Sequence, residues 1–122
     1  MNATPDLKIT EKTPVAAHID GDNGFGFIVA TKAMEDAIKR AEIYGIGIVT
    51  ANHSNHFGMA ATYVQQALEN DMISLVFTNS AKQMPPFGGK ETLLGISPFA
   101  AGAPSESEVP FILDMAPSVV AK

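Results

Sequence analysis

The stretch Gly45–Gly58, GIGIVTANHSNHFG, decides how the chain is read. Its opening, Ile46–Thr50, is short, β-branched and bounded by glycine, which reads as a buried strand rather than a helix. A polar turn follows, then a helix-like segment from Phe57 to Asn70, with the helix proper over roughly Met59–Asn70. His56 falls on this strand-to-helix connection. Such a loop fixes a side chain while leaving it open to a ligand. Imidazoles as a class titrate near about 6.5, which suits proton transfer at neutral pH.

Working outward toward the N-terminus, residues from about Gly26 to Tyr44 read as a helix. Ile28, Met34, Ile38 and Ala41 form its apolar stripe, with Ala30, Ala33 and Ala37 between them for close packing on a sheet. Glu35 and Lys39 stand four apart and are expected to pair in solvent. Gly45 fits the C-cap. Before the helix, Asp20–Gly24 carries a turn signal, and Val15–Ile19 reads as a strand. Residues 1–14 read as an irregular or weakly extended lead-in. Toward the C-terminus, Met72–Thr78 reads as a strand, Asn79–Gly89 as a Pro/Gly-rich loop, and Phe99–Ala103 and Pro110–Leu113 as further strands. The tail Pro117–Lys122 reads as a turn opening another helix, so the ending has the character of a fragment.

The succession strand–helix–strand–helix–strand argues for α/β layering without fixing the strand order. Two nucleotide-binding arrangements are excluded. No G-x-G-x-x-G joins a strand to a helix, and there is no G-x-x-x-x-G-K-[ST]. The glycines of Gly21–Gly26, GDNGFG, have a different spacing.

Composition narrows the classes. The chain has 122 residues, 46% of them apolar and 17% charged, enough for a compact globular core. The formal net charge of −5, with no basic patch, argues against nucleic-acid binding. There is no cysteine, hence no disulfide, thiolate nucleophile or Cys-ligated metal, in keeping with a reducing compartment. The start, MNATPDLKITEKTP, lacks the apolar core of a signal peptide. No apolar run is long enough to span a membrane.

On residue type alone, His56 reads either as a proton-transfer residue or as a structural loop anchor, and the structural role is the commoner one. His53-x-x-His56 invites a metal reading, but zinc needs three or four ligands. Asp20 and Asp22 resemble the start of a calcium loop whose later ligands do not follow. The expectation is therefore no metal. Asn52, Ser54 and Asn55 read as caps of the following helix, or as groups orienting an imidazole. Ser80 fits a turn or a ligand phosphate or ribose. Gly88 and Gly89 allow close backbone approach. Asp114 fits either a ribose contact or a cap.

Four ordered segments carry a resemblance: SNHFG at 54–58, PFGG at 86–89, LLGISPFA at 93–100 and FILDMAPSVVA at 111–121. Together with HIDGDNGFG at 18–26, they resemble the type 2 malate/L-lactate dehydrogenase family, which is unrelated to the Rossmann-type enzymes. The family includes ureidoglycolate, sulfolactate and 2,3-diketogulonate oxidoreductases and cyclic imino-acid reductases. The resemblance implies a non-Rossmann α/β fold with a mixed, largely antiparallel sheet and packed helices. It implies a central cofactor/substrate domain over residues 15–122, incomplete at both ends. The implied activity is hydride exchange between NAD or NADP and C2 of a small 2-hydroxy/2-oxo acid. His56 matches the family's acid/base histidine. Ser80, the loop Pro86, Phe87, Gly88 and Gly89, and Asp114, Met115 and Ala116 match cofactor-binding positions. The resemblance also implies a cytoplasmic homodimer. Arg40, the only arginine, lies away from these motifs and suits packing or solvent better than a substrate carboxylate. The isolated chain is therefore expected to be either a piece of a dehydrogenase or a non-catalytic dimerisation or structural remnant of that fold.

Overall fold

A computed structural model describes residues 1–106 and 109–118. The chain forms two compact units, Met1–Met59 and Ala60–Lys122.

The first unit is a three-stranded sheet with one helix. Strands β1 (Lys8–Thr13), β2 (Ala16–Gly24) and β3 (Ile48–Ser54) lie in the order β1-β2-β3. β1 and β2 form an antiparallel hairpin, and β2 and β3 are parallel. The parallel pair needs a crossover, supplied by helix α1 (Gly26–Tyr44). Ala17 and Ile19 of β2 and Val29 of α1 are buried. The opposite face carries Thr10, His18 and Thr50 in one row. There His18 Nδ1 lies 2.8 Å from Thr50 Oγ1.

The lead-in, expected to be irregular or weakly extended, thus contains a paired strand, β1. Every residue of β1 is exposed, so no apolar alternation marks it in the sequence. The strand is held through its backbone and by Arg40. That guanidinium donates to Asp36 Oδ2 at 2.8 Å, Glu11 Oε2 at 3.1 Å, and the carbonyls of Thr13 and Pro14 at 3.3 and 2.8 Å. From α1, Arg40 therefore anchors the hairpin turn at the N-terminal end of β2. The expected Glu35–Lys39 pair gives way to Lys32–Glu35 at 3.2 Å.

Helix α1 ends where the sequence indicates. Gly45 has φ +80°, and its N–H donates to the Ala41 carbonyl. The expected turn at Asp20–Gly24 is instead absorbed into β2. Asp22 and Asn23 take positive φ, and the register with β3 shifts between Asp20 and Gly24. Strand β3 begins two residues later than expected and is not buried, Ile48 being half exposed. As an edge strand it pairs on one side only, which β-branched composition does not reveal.

The second unit packs helix α2 (Ala61–Leu68) on an antiparallel sheet of β4 (Ser74–Phe77), β5 (Phe99–Ala103) and β6 (Phe111–Met115), ordered β4-β5-β6. Val64 and Ala100 are fully buried between helix and sheet. Gly102 lets the helix come close, because a Cβ there would collide with Val64. The other face presents Leu75, Phe77, Phe99, Leu113, Phe111 and Met115, with Phe77 and Phe99 stacked 6.2 Å apart. Among the described residues three of the four strand pairings are antiparallel: in place of one mixed sheet there are two, the first mixed and the second wholly antiparallel. Residues 119–122, on which most of the expected final helix falls, lie outside the described residues.

Candidate functional site

His56 lies two residues beyond β3, and the first unit fixes its loop from two directions. Asn55 Nδ2 donates to the Asn23 carbonyl at 3.0 Å, to Asn23 Oδ1 at 3.0 Å and to the Gly24 carbonyl at 2.9 Å. Gly26, the first helical residue, lies so close that a Cβ would strike the carbonyls of Asn55 and His56. The loop is therefore sewn to the end of β2 and pressed against the start of α1. Asn55 is not the cap of the following helix that its position suggests.

The His56 ring is exposed, and its Nδ1 accepts the backbone N–H of Gly58 at 3.0 Å. Gly58 makes this possible with φ +79°. An acceptor Nδ1 leaves the neutral ring's proton on Nε2. His56 thus presents an N–H donor to solvent.

A second histidine stands beside it in sequence. His53, at φ +45° on β3, places Nδ1 3.1 Å from Asp20 Oδ2. Both residues line an open cavity of about 350 Å³ with Asp22, Asn23 and Ser54. Asp20 also accepts the Asp22 N–H at 3.0 Å. That backbone hydrogen bond, followed by the bond to His53, holds the Asp20 carboxyl below its ordinary value of 3.8. Among the described residues no group of three or more His, Cys, Asp or Glu side chains converges as a metal site requires.

In the second unit, Ser80 and the Asp114–Ala116 segment lie toward one end of the sheet. The register row Phe77–Phe99–Met115 defines that end, and Ser80 follows Phe77 by three residues. Both side chains have structural partners. Ser80 Oγ accepts the Ile96 N–H at 2.7 Å, tying the two ends of the intervening loop together. Asp114 Oδ2 accepts the Ala61 N–H at 2.8 Å, so a strand residue caps α2, whose N-cap Ala60 has no side chain to do so. Pro86–Gly89 forms a turn closed by the Gly89 N–H to the Pro86 carbonyl at 2.8 Å, with Gly88 at φ +78°. Phe87 at its tip is fully exposed.

A profile of the malate/L-lactate dehydrogenase family matches residues 1–122. The chain belongs to that family. An L-sulfolactate dehydrogenase of Methanocaldococcus jannaschii is 45% identical over 122 residues, covering 100% of this chain and 35% of the relative. A ureidoglycolate dehydrogenase (NAD(+)) of Escherichia coli K12 is 34% identical over 120 residues, 98% of this chain and 34% of the relative. The solved malate dehydrogenase of Pyrococcus horikoshii OT3 superposes with a TM-score of 0.92 at 45% identity, covering 98% of this chain and 34% of that one. The chain therefore spans about a third of the length of these family members. Among the described residues no helix is long and apolar enough to cross a membrane.

Local spacing does not mark Asp20 and His53 as a pair. The signal is an acidic residue near the end of one strand and a histidine near the end of the next. Only the parallel register Asp20–Asn52 brings the two together.

Proposed function

We propose that the chain is the central part of an NAD(P)-dependent oxidoreductase. It would transfer hydride between nicotinamide and C2 of a small 2-hydroxy/2-oxo acid such as malate or lactate. The observation that carries this reading is the family match along the whole chain. The name of the Escherichia coli relative includes NAD(+), which supports the cofactor class. His56 is the catalytic residue, meeting the substrate's C2 oxygen through Nε2.

The cofactor would supply the hydride acceptor or donor, and the protein's task is orientation. Residues of the second unit suit that task in chemistry. One oxygen of Asp114 is spent on α2, while the other has no partner among the described residues. Phe87 offers an unshielded ring, and the Gly88–Gly89 turn offers backbone without side chains. Ser80, Pro86, Phe87, Gly88, Gly89, Asp114, Met115 and Ala116 would hold it. Arg40 is engaged by the hairpin, so the substrate carboxylate takes its cation from another group. The remainder of the enzyme or a second subunit in a homodimer would complete the site, in the cytoplasm.

The test is titration of the purified chain with NADH and NADPH, followed by nucleotide fluorescence. Saturable binding is expected, weakened by Asp114→Asn, which keeps an oxygen for the Ala61 N–H but removes the charge. A folded chain that shows no saturation sinks the reading that it binds the cofactor on its own.

A second reading, a non-catalytic dimerisation module, is favoured by the outer face of the second sheet. Phe77 and Leu75 there are 70% and 59% exposed, an apolar surface of the kind that interfaces cover. On this reading, sedimentation shows a dimer that Phe77→Glu returns to monomer. A monomeric parent chain speaks against it.

A further inference from the structure

The bulge of β2 beside the histidine loop stands in a conformation that its residues do not adopt unaided. Asp22 and Asn23 have φ +46° and +55°. The left-handed region is unfavourable for L-residues, least so for Asp and Asn, and it persists where the surroundings over-determine it. The start of the chain does that here. The Asn2 N–H donates to the Asn23 carbonyl at 2.7 Å, and Asn2 Nδ2 donates to Asp22 Oδ2 at 2.7 Å. Asn2 Oδ1 accepts the Thr4 N–H at 3.0 Å, which turns the amide so that Nδ2 faces Asp22. Asp22 Oδ2 also accepts the Asp6 N–H at 3.1 Å. Between these anchors the Pro5 ring lies against Gly24, where a Cβ would strike it.

On its other side the bulge holds the histidine loop. A carbonyl oxygen has two lone pairs. Those of Asn23 serve the Asn2 N–H and Asn55 Nδ2, so one oxygen joins the N-terminal segment to the residue before His56. Asn55 Nδ2 also donates to Asn23 Oδ1 and to the Gly24 carbonyl. Beyond Asn55 the loop has no slack. Its carbonyls press on Gly26, and the His56 ring closes back on the Gly58 N–H. A movement of the bulge therefore reaches His56 through one side chain and one peptide link. The Asn2–Asp22 bond is charge-assisted, roughly twice as strong as a neutral one, and it is the outermost tie of the series.

We propose that the N-terminal segment is a positioning element for His56: Asn2, through Asp22 and Asn23, sets where Asn55 and the histidine stand. This inference rests on the reading of His56 as the residue that meets the substrate. Asn2, Asp22, Asn23 and Asn55 are positioning residues and touch no reacting atom. If Asn2 only tied down the start of the chain, its loss would lower stability and leave the His56 ring where it is.

The experiment is nuclear magnetic resonance of the full labelled chain carrying Asn2→Asp, which keeps the shape and sets a carboxylate against Asp22. With three histidines in the sequence, each ring is assignable by single replacement. Expected is a displacement of the His56 ring resonances, with Gly58 amide exchange about tenfold faster, the order set by one hydrogen bond to a charged group. The His18 ring, held by Thr50 on the outer sheet face, should stay unmoved. Adding Asp22→Asn exchanges donor and acceptor, so the amide at position 22 donates to the carboxylate at position 2 and the His56 signals return. Unchanged His56 and Gly58 signals in a folded Asn2→Asp chain overturn the proposal. So does an equal displacement of His18, which marks general loosening, or a double variant in which His56 stays displaced. If Asn2→Asp does not fold, Asn2→Ala removes the bond without adding charge and decides by the same signals. No nucleotide is present, so failure here is separate from failure to bind NADH.

Discussion

Gly26→Ala is expected to destabilise the chain by about 3 kcal/mol and to displace His56. Local propensity predicts the opposite sign, since alanine in a helix is favoured over glycine by roughly 1 kcal/mol. At this position the new methyl would meet the carbonyl groups of Asn55 and His56, which are backbone and have no rotamer to escape into. Overpacking of that kind costs about 1–3 kcal/mol and occasionally more. The loop must move or the helix start must unwind, and the three bonds from Asn55 resist the first. Urea denaturation measures the loss, and the His56 ring resonances report the displacement. Gly45→Ala is the comparison: there a Cβ meets nothing within 4 Å, and only the cost of φ +80° remains. A Gly26→Ala chain as stable as its parent, with unchanged His56 resonances, would show that the helix start does not brace the loop.

Ile19→Ala is expected to cost about 2–5 kcal/mol. Ile19 is 0% exposed on β2, the central strand of its sheet, and it is among the largest fully buried side chains described. Its loss removes three carbons and leaves a void that a strand paired on both sides collapses into poorly. The next residue is Asp20, so the same change loosens the carboxylate beside His53. Thermal and urea denaturation give the stability. Thr10→Ala, on the fully exposed β1, is the control and belongs within about 0.5 kcal/mol of the parent. Equal effects at the two positions would falsify the assignment of the core to the helix-facing side of β2.

Much of the architecture was legible in the sequence. The helix Gly26–Tyr44 and its glycine stop are where periodicity and Gly45 indicate. The strand Phe99–Ala103 matches its apolar run. What escaped depends on partners distant in sequence. β1 has no apolar face and exists because β2 and Arg40 hold it. Asp22 and Asn23 look like a turn, yet their positive φ values bulge a strand that continues to Gly24. β3 is exposed where its composition predicts burial, because β-branched residues mark a strand but not whether both its edges are paired.

The candidate site divides the same way. Four short motifs named the residues, but not their neighbours. That Asn55 would bond back to Asn23 and Gly24, 32 and 31 residues earlier, is a property of the parallel register and invisible in local spacing. Asp114 capping α2 across 53 residues is another such case.

The mixed pairing of β2 also orders assembly in time. Its contact with β1 closes a short hairpin and forms on the timescale of local chain diffusion. Its contact with β3 waits for the 19-residue helix between them to be formed and laid across the sheet. The histidine loop, anchored on both β2 and α1, is therefore expected to be among the last parts of its unit to be built. Interactions made after the rate-limiting step govern how fast a native state is lost rather than how fast it is gained. If β3 closes after the rate-limiting step, the bonds of Asn55 are expected to slow unfolding more than they speed folding, and Asn55→Ala to raise the unfolding rate of the segment bearing His53 and His56.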